Sequence, residues 1–201
     1  MKTLLLSALM ALSGTAALAQ YRPETISTPD SLIGKRVWIS PPLPMQGGEI
    51  VFEGAKEVPG LTKEILFGNA LEWYNYNYKT ADTRLEVEKA AEGFISGTGV
   101  IRYTPVAAGV AGEVPIFFRF NIQVADGKYS YKFYEMYGLE ANGRFSYADM
   151  YREDRDTNPQ LKPRWGKKYR YEMLYDMTVM VEMSIAHLQQ AMLMNSGVVT
   201  R

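Results

Sequence analysis

Between Pro115 and Leu139 the chain switches between apolar and polar positions with period two. Ile116, Phe118, Phe120, Ile122 and Val124 alternate with Phe117, Arg119, Asn121 and Gln123. After Asp126-Gly127, Tyr129, Tyr131 and Phe133 alternate with Ser130, Lys132 and Tyr134. Successive side chains on a strand point to opposite faces, and Asp-Gly between two such runs is a strong hairpin signal. A two-residue turn fixes the register: Val124 faces Tyr129, Ile122 faces Tyr131 and Phe120 faces Phe133 on the apolar face. The other face pairs Gln123 with Ser130, Asn121 with Lys132, and Arg119 with Tyr134. Continued without interruption, the same alternation carries Glu135 onto the apolar face opposite Phe118. There it is either at the rim of the sheet or a buried carboxylate.

The flanking segments predict other elements. Gly48 to Val58 is a first core strand, with Ile50 and Phe52 on one face and Val51 and Glu53 on the other, stopped by Pro59-Gly60. Thr62 is an N-cap, and Leu66, Ala70, Trp73 and Tyr74 form a helical stripe that ends near Tyr78. That spacing makes Trp73 a core residue rather than a ligand platform. Leu85 to Lys89 and Phe94 to Tyr103 are further strands, separated by a turn over Ala90 to Gly93. Gly97 and Gly99 inside the second imply a bulge, curvature or a close neighbour. Pro105 to Gly112 is a small-residue loop. Residues 141–170 are charged and punctuated by Pro159 and Pro163, and are expected to be an irregular loop. Asp154 to Trp165 imitates a calcium loop but has Pro159 where glycine is needed and Trp165 where glutamate is needed.

A long helix closes the chain, from about Lys168 to Met194. Leu174, Met177, Val181, Ile185, Leu188 and Met192 make its buried stripe. Met173, Met180, His187 and Met194 recur every seven residues on an adjacent flank, with Met183 beside them. Methionine suits an adaptable contact surface. Met173, Met180, Met183 and His187 are therefore candidates for contact with another envelope protein or a second copy, unless loop 141–170 covers them. Strand, helix, antiparallel strands and a closing helix make an α+β pattern, β-α-β-β-β-β-α.

The N-terminus has the form of a secretory signal: Lys2, an apolar run from Leu4 to Leu12, and Ala17-Leu18-Ala19. Cleavage is expected after Ala19, with the product in the periplasm or outside the cell. No cysteine stands at the cleavage site to take a lipid anchor. The expected organisation is signal 1–19, a proline-rich arm 20–47, one domain 48–195 and a tail 196–201. Ile33, Val37, Trp38 and Ile39 in the arm imply packing onto the domain. Lys+Arg and Asp+Glu number 22 each, so there is no basic footprint for nucleic acid. Beyond the signal no segment reaches transmembrane length.

Glu57-Val58-Pro59-Gly60, the helix with Glu72-Trp73-Tyr74, the Glu92-Gly93 turn, Asp126-Gly127-Lys128-Tyr129 with Tyr131, and the closing helix occur in a telling order. In that order and spacing the chain resembles the DUF4468 family, secreted bacterial domains of unknown function with a TBP-like fold, from about Gly48 to Met194. The resemblance implies a curved antiparallel sheet with two helices on one side and mostly exported members from Bacteroidetes-like bacteria. It implies no activity and no site residues, and the fold's name does not imply DNA binding.

Chemistry is sparse. His187 is the only histidine and there is no cysteine, so no histidine or thiolate metal set exists. No serine has a nucleophile-elbow context. No cofactor, metal or catalytic set is expected. The favoured function is a non-enzymatic binding or interaction module of the cell envelope, gripping a peptide, glycan or protein through Arg119, Asn121, Lys132 and Tyr134. The alternatives are a carrier with an apolar ligand between sheet and last helix, and a carboxylate-based envelope hydrolase.

Overall fold

The structure is a computed structural model that describes residues 40, 42–104, 112–140, 142–156 and 162–194. The chain divides into two units, 1–37 and 38–201, and the described residues all fall in the second. Ile33, Val37, Trp38 and Ile39, the signal, most of the arm, the loop 105–111 and the tail lie outside them.

The described chain begins with a small hairpin, β1 (Met45–Gln46) and β2 (Glu49–Ile50), joined by Gly47 and Gly48. Both glycines have positive φ, 58° and 86°, which a tight hairpin turn requires. The strand expected over 48–58 is therefore interrupted: Val51 turns its N–H to Pro44 O, 2.9 Å, and β3 (Phe52–Glu57) starts afresh. Leu43, expected in a surface arm, is buried and donates its N–H to the Tyr151 hydroxyl, 3.1 Å.

Helix α1 (Lys63–Asn77) starts at Thr62, whose hydroxyl accepts from Ile65 N, 3.4 Å. The hairpin turn fastens the same end. Asp126 Oδ1 accepts the Lys63 N–H at 2.8 Å, and Gly127 bonds Val58 and Leu61 through its C=O and N–H, 2.8 and 2.9 Å. Then come β4 (Leu85–Lys89), a single 3-10 turn, β5 (Phe94–Tyr103), β6 (Val114–Ala125), β7 (Lys128–Glu140) and β8 (Gly143–Ser146). Helix α2 (Tyr147–Arg155) and the long α3 (Lys167–Met192) follow. The sheet is antiparallel with order β3-β7-β6-β5-β4, and β8 pairs β7 beyond the end of β3. The outer strands β3 and β4 carry Glu53, Lys56 and Glu57, and Glu86, Glu88 and Lys89, charges that discourage further strand pairing.

The register of β6 on β7 is the one the Asp-Gly turn dictates, from Val124↔Tyr129 to Arg119↔Tyr134. Beyond it the expectation for Glu135 fails. Phe117 pairs Tyr137, so β6 advances two residues where β7 advances three. The extra residue is Glu135, the one described non-glycine with positive φ, 51°. This bulge turns Glu135 outward and puts Met136, 2% exposed, into the core.

The apolar face carries Ile95, Ile116, Phe118, Phe120, Ile122 and Phe133, all at or below 1% exposure. Onto it pack the predicted stripes of α1 and α3. Trp73 meets Phe120 and Phe133 edge-on at 5.4 and 6.0 Å, and Tyr78 meets Phe118 at 5.4 Å. Gly99 makes room for Phe118; a β-carbon there would collide with its ring. Each such fully buried side chain is worth about 1.5–3 kcal/mol of transfer free energy.

Segment 141–170 is not the irregular loop expected. It holds β8 and α2, whose N-cap Ser146 accepts from Ala148 N and Asp149 N. Helix α2 buries Tyr147, Ala148 and Met150 and packs on α3. Among the described residues there are thus three α-helices rather than two. Arg170 at the start of α3 is 2% exposed, donating from Nε to Asp154 at 3.4 Å and from a terminal nitrogen to Trp165 O.

Candidate functional site

The four residues proposed for binding come together on the sheet face turned away from α1 and α3. Arg119 and Asn121 stand on β6, Lys132 and Tyr134 beside them on β7. The Tyr134 hydroxyl donates to Asn121 Oδ1, 3.3 Å. Its ring lies between two cations, 5.8 Å from the Arg119 guanidinium and 5.9 Å from Lys132 Nζ. Both distances fall within cation–π range.

Two carboxylates that the sequence could not assign complete the cluster. Glu86 on β4 accepts a hydrogen bond from Arg119 Nη2, and Glu135 Oε1 lies 3.7 Å from Nη1. The hydrogen bond to Glu86 is the main reason that Arg119 is held protonated above its usual range. Arg84 adds a further ion pair to Glu86, 3.6 Å. The alternation signal places a residue on a face but gives no partner across strands distant in sequence. Only the fold brings β4 and the bulge to Arg119.

The same face carries an aromatic stack. Phe117 lies flat on Tyr137, centroids 4.8 Å apart and planes 9° apart. The Arg144 guanidinium from β8 sits 3.4 Å from the Tyr137 ring centre. Leu139, on the same face of β7, is 48% exposed.

The methionine flank of α3 does not act as one surface. Met173 is 1% exposed, its sulfur accepting from the Tyr103 hydroxyl at 3.5 Å, so it is not a partner contact. Met180 is half-buried against the core. Met183, 49% exposed, and His187 are open to solvent. His187 lines two grooves, the first between α1 and α3 and the second among the end of α1, β5 and α3. One is about 400 Å³, with Asn69, Trp73 and Tyr76; the other is about 240 Å³, with Tyr78, Met180 and Met183. The space between sheet and α3, where an apolar cargo was considered, is filled by Leu174, Met177, Val181 and Leu188, all at 0% exposure.

A wider cleft of about 770 Å³ lies among β8, α2 and the start of α3. Its charges are largely mutually engaged: Arg152 with Asp149, Arg170 with Asp154, and Arg164 with Glu140 at 3.0 Å. Asp154, the first residue of the calcium-like segment, is thus taken by Arg170, and residues 157–161 of that segment lie outside the described ones. Among the described residues no group of three or more His, Asp or Glu is placed to hold a metal. No described helix is long and apolar enough to cross a membrane.

Residues 52–137, from β3 to the bulged part of β7, match the family described as "Domain of unknown function (DUF4468) with TBP-like fold". Over that stretch the chain is similar to DUF4468 domains. Two solved structures share the fold. A DUF4468 family protein from Bacteroides ovatus ATCC 8483 superposes with TM-score 0.56 at 16% identity, over 79% of this chain and 93% of that one. A TBP-like protein from Parabacteroides distasonis ATCC 8503 gives TM-score 0.54 at 13% identity, over 73% and 97%. At such identities the likeness is one of fold alone. Comparison with curated proteins gave no match. The matched stretch holds Arg119, Asn121, Lys132, Tyr134, Glu86 and Glu135, so the whole cluster lies within it; Arg144, α2 and α3 lie beyond.

Proposed function

We propose that this chain is an exported, non-enzymatic binding module whose ligand surface is the sheet face turned away from α1 and α3. The observation that supports this is the fixed array of rings and charges on that face. Tyr134 is held by Asn121 between Arg119 and Lys132, and Arg119 is held by Glu86 and Glu135. Side chains ordered before a ligand arrives lose little entropy when it binds. Rings flanked by cations suit a polymer that offers sugar rings or peptide groups together with negative charge. The signal-like N-terminus gives the reading its place, the cell envelope.

The test is co-sedimentation of residues 20–201 with an envelope fraction of the bacterium that makes the protein. The wild type is compared with the double variant Lys132→Glu, Tyr134→Ala. Both substituted side chains are only half-buried, so the variant should keep its fold. We expect about tenfold weaker retention, equivalent to about 1.4 kcal/mol. Equal retention of both proteins, or none of either, would overturn the proposal.

A further inference from the structure

We infer that α3 pairs with the α3 of a second copy of this chain, parallel and in register, through the side it turns to solvent. Its inner side is the buried stripe from Leu174 to Met192. On the opposite side stand Val179, Met183, Ala186, Gln190 and Leu193, all exposed or half-buried. From Met177 to Met194 the only residue with a formal charge at pH 7 is Glu182. A surface helix ordinarily turns charged and polar residues to water, and one that is apolar all round is covered all round. Met183 is 49% and Leu193 66% exposed, so the outer side of α3 lacks the cover its composition calls for.

The spacing says what kind of cover fits. The five outer residues follow one another in steps of four, three, four and three, the alternation of a coiled-coil seam. Two polar groups select the occupant and its direction. In a parallel, in-register pair each seam residue meets its own counterpart, so Gln190 meets a second Gln190. A carboxamide carries both donor and acceptor, and two of them satisfy each other. In an antiparallel pair the two kinds of seam position face each other instead. Gln190 then faces Val179, Ala186 or Leu193 in every register, and its amide has no mate.

Glu182 and His187 flank the seam on its two sides, five residues apart. That is the spacing at which flanking residues of parallel helices meet across the seam, where opposite charges set partner and orientation. Glu182 is half-buried, and burial alone holds its carboxyl above the usual carboxylate range, with no cation to offset it among the described residues. His187 of the partner subunit supplies that cation, and the two-fold axis makes the contact twice. The seam lies a third of a turn away from the row Met173, Met180, His187 and Met194, which explains why that row is partly buried while Met183 is open.

The test is sedimentation equilibrium of residues 20–201 over a dilution series, with cysteine variants to read direction, since the chain has no cysteine of its own. We expect a reversible dimer that dissociates in the micromolar range. Met183→Glu should weaken it at least about tenfold. His187→Glu, set against Glu182 of the partner subunit, should also weaken it, and Glu182→Lys added to His187→Glu should restore it. Under mild oxidation Ala186→Cys lies beside the axis only in the parallel pair, and should cross-link far faster than Glu88→Cys, exposed on the edge strand β4. The substituted side chains are exposed or half-buried, so far-UV circular dichroism should be unchanged in every variant. A monomer at every concentration, or a dimer indifferent to Met183→Glu, would overturn the inference. So would equal cross-linking of the two cysteine variants, or a charge swap that does not restore the dimer.

Discussion

Arg119 and Glu135 lie 3.7 Å apart because β7 carries one residue more than β6 between their ladder pairs. That residue is Glu135 itself, at φ 51°, where a side chain is disfavoured and a β-branched one strongly so. An exposed site ordinarily tolerates substitution within about 0.5 kcal/mol. Glu135→Val is expected to cost roughly 1–3 kcal/mol from backbone strain. Glu135→Gly should be as stable as the wild type or more so, because the half-exposed ion pair it removes contributes at most about 1 kcal/mol. Urea unfolding of both variants checks this; equal midpoints for Val and Gly would contradict the bulge.

Phe118 occupies the space that Gly99 leaves by lacking a side chain. Gly99→Ala should therefore destabilise by about 1–3 kcal/mol, the range for overpacking a core. Phe118→Leu alone also destabilises, by loss of buried ring, but it frees the space. The double variant should be more stable than the sum of the two by on the order of 1 kcal/mol. Additive losses in a double-mutant cycle would show that the two positions do not press on each other.

The Arg170–Asp154 pair is almost sealed from water, side chains 2% and 4% exposed. Asp154→Ala leaves a buried guanidinium without its counter-ion and is expected to cost about 3–5 kcal/mol. Replacing both, Asp154→Leu with Arg170→Met, should cost much less, since a matched apolar pair needs no compensation. Thermal melts of the three proteins test the order, and the cost of Asp154→Ala should be nearly the same in dilute buffer and in high salt.

Tyr78 ties the end of α1 to α3 through a hydrogen bond with Ser184, and burial pushes its phenol up to about 12. A folded-state value above the unfolded one contributes stability below pH 10 that is lost as pH rises through about 12. Tyr78→Phe should thus be less stable than the wild type by about 1 kcal/mol at neutral pH, from the lost hydrogen bond. The gap should close between pH 10 and about 12, where the wild type alone must hold off ionisation of Tyr78. A gap constant across that window would place the effect elsewhere.

Much of this architecture was legible because burial imposes a period. The β6–β7 register follows from alternation and a two-residue turn, and both helix stripes from their spacing. Alternation cannot count an inserted residue, so Glu135 and Met136 exchange faces relative to expectation. Helix α2 has only nine residues, too few for the period to stand out against Arg152, Glu153, Asp154 and Arg155. On α3 the seven-residue recurrence is real. What it does not reveal is that Tyr103 closes over Met173 while Met183 stays open. On the sheet face, residues of one hairpin were found together, but Glu86 was not, because it arrives from a strand outside that hairpin.

One edge of β7 is shared end to end by β3 and β8. The two tenants reach it by very different routes. β8 starts at Gly143, directly after β7 ends at Glu140, whereas β3 meets it across all of α1, β4, β5 and β6. Closing a long loop costs more entropy than closing a short one, so the meander β6-β7-β8 can zip from local contacts alone. The first long strand of the sheet in the chain is therefore expected to join last, with its amides gaining exchange protection latest during refolding.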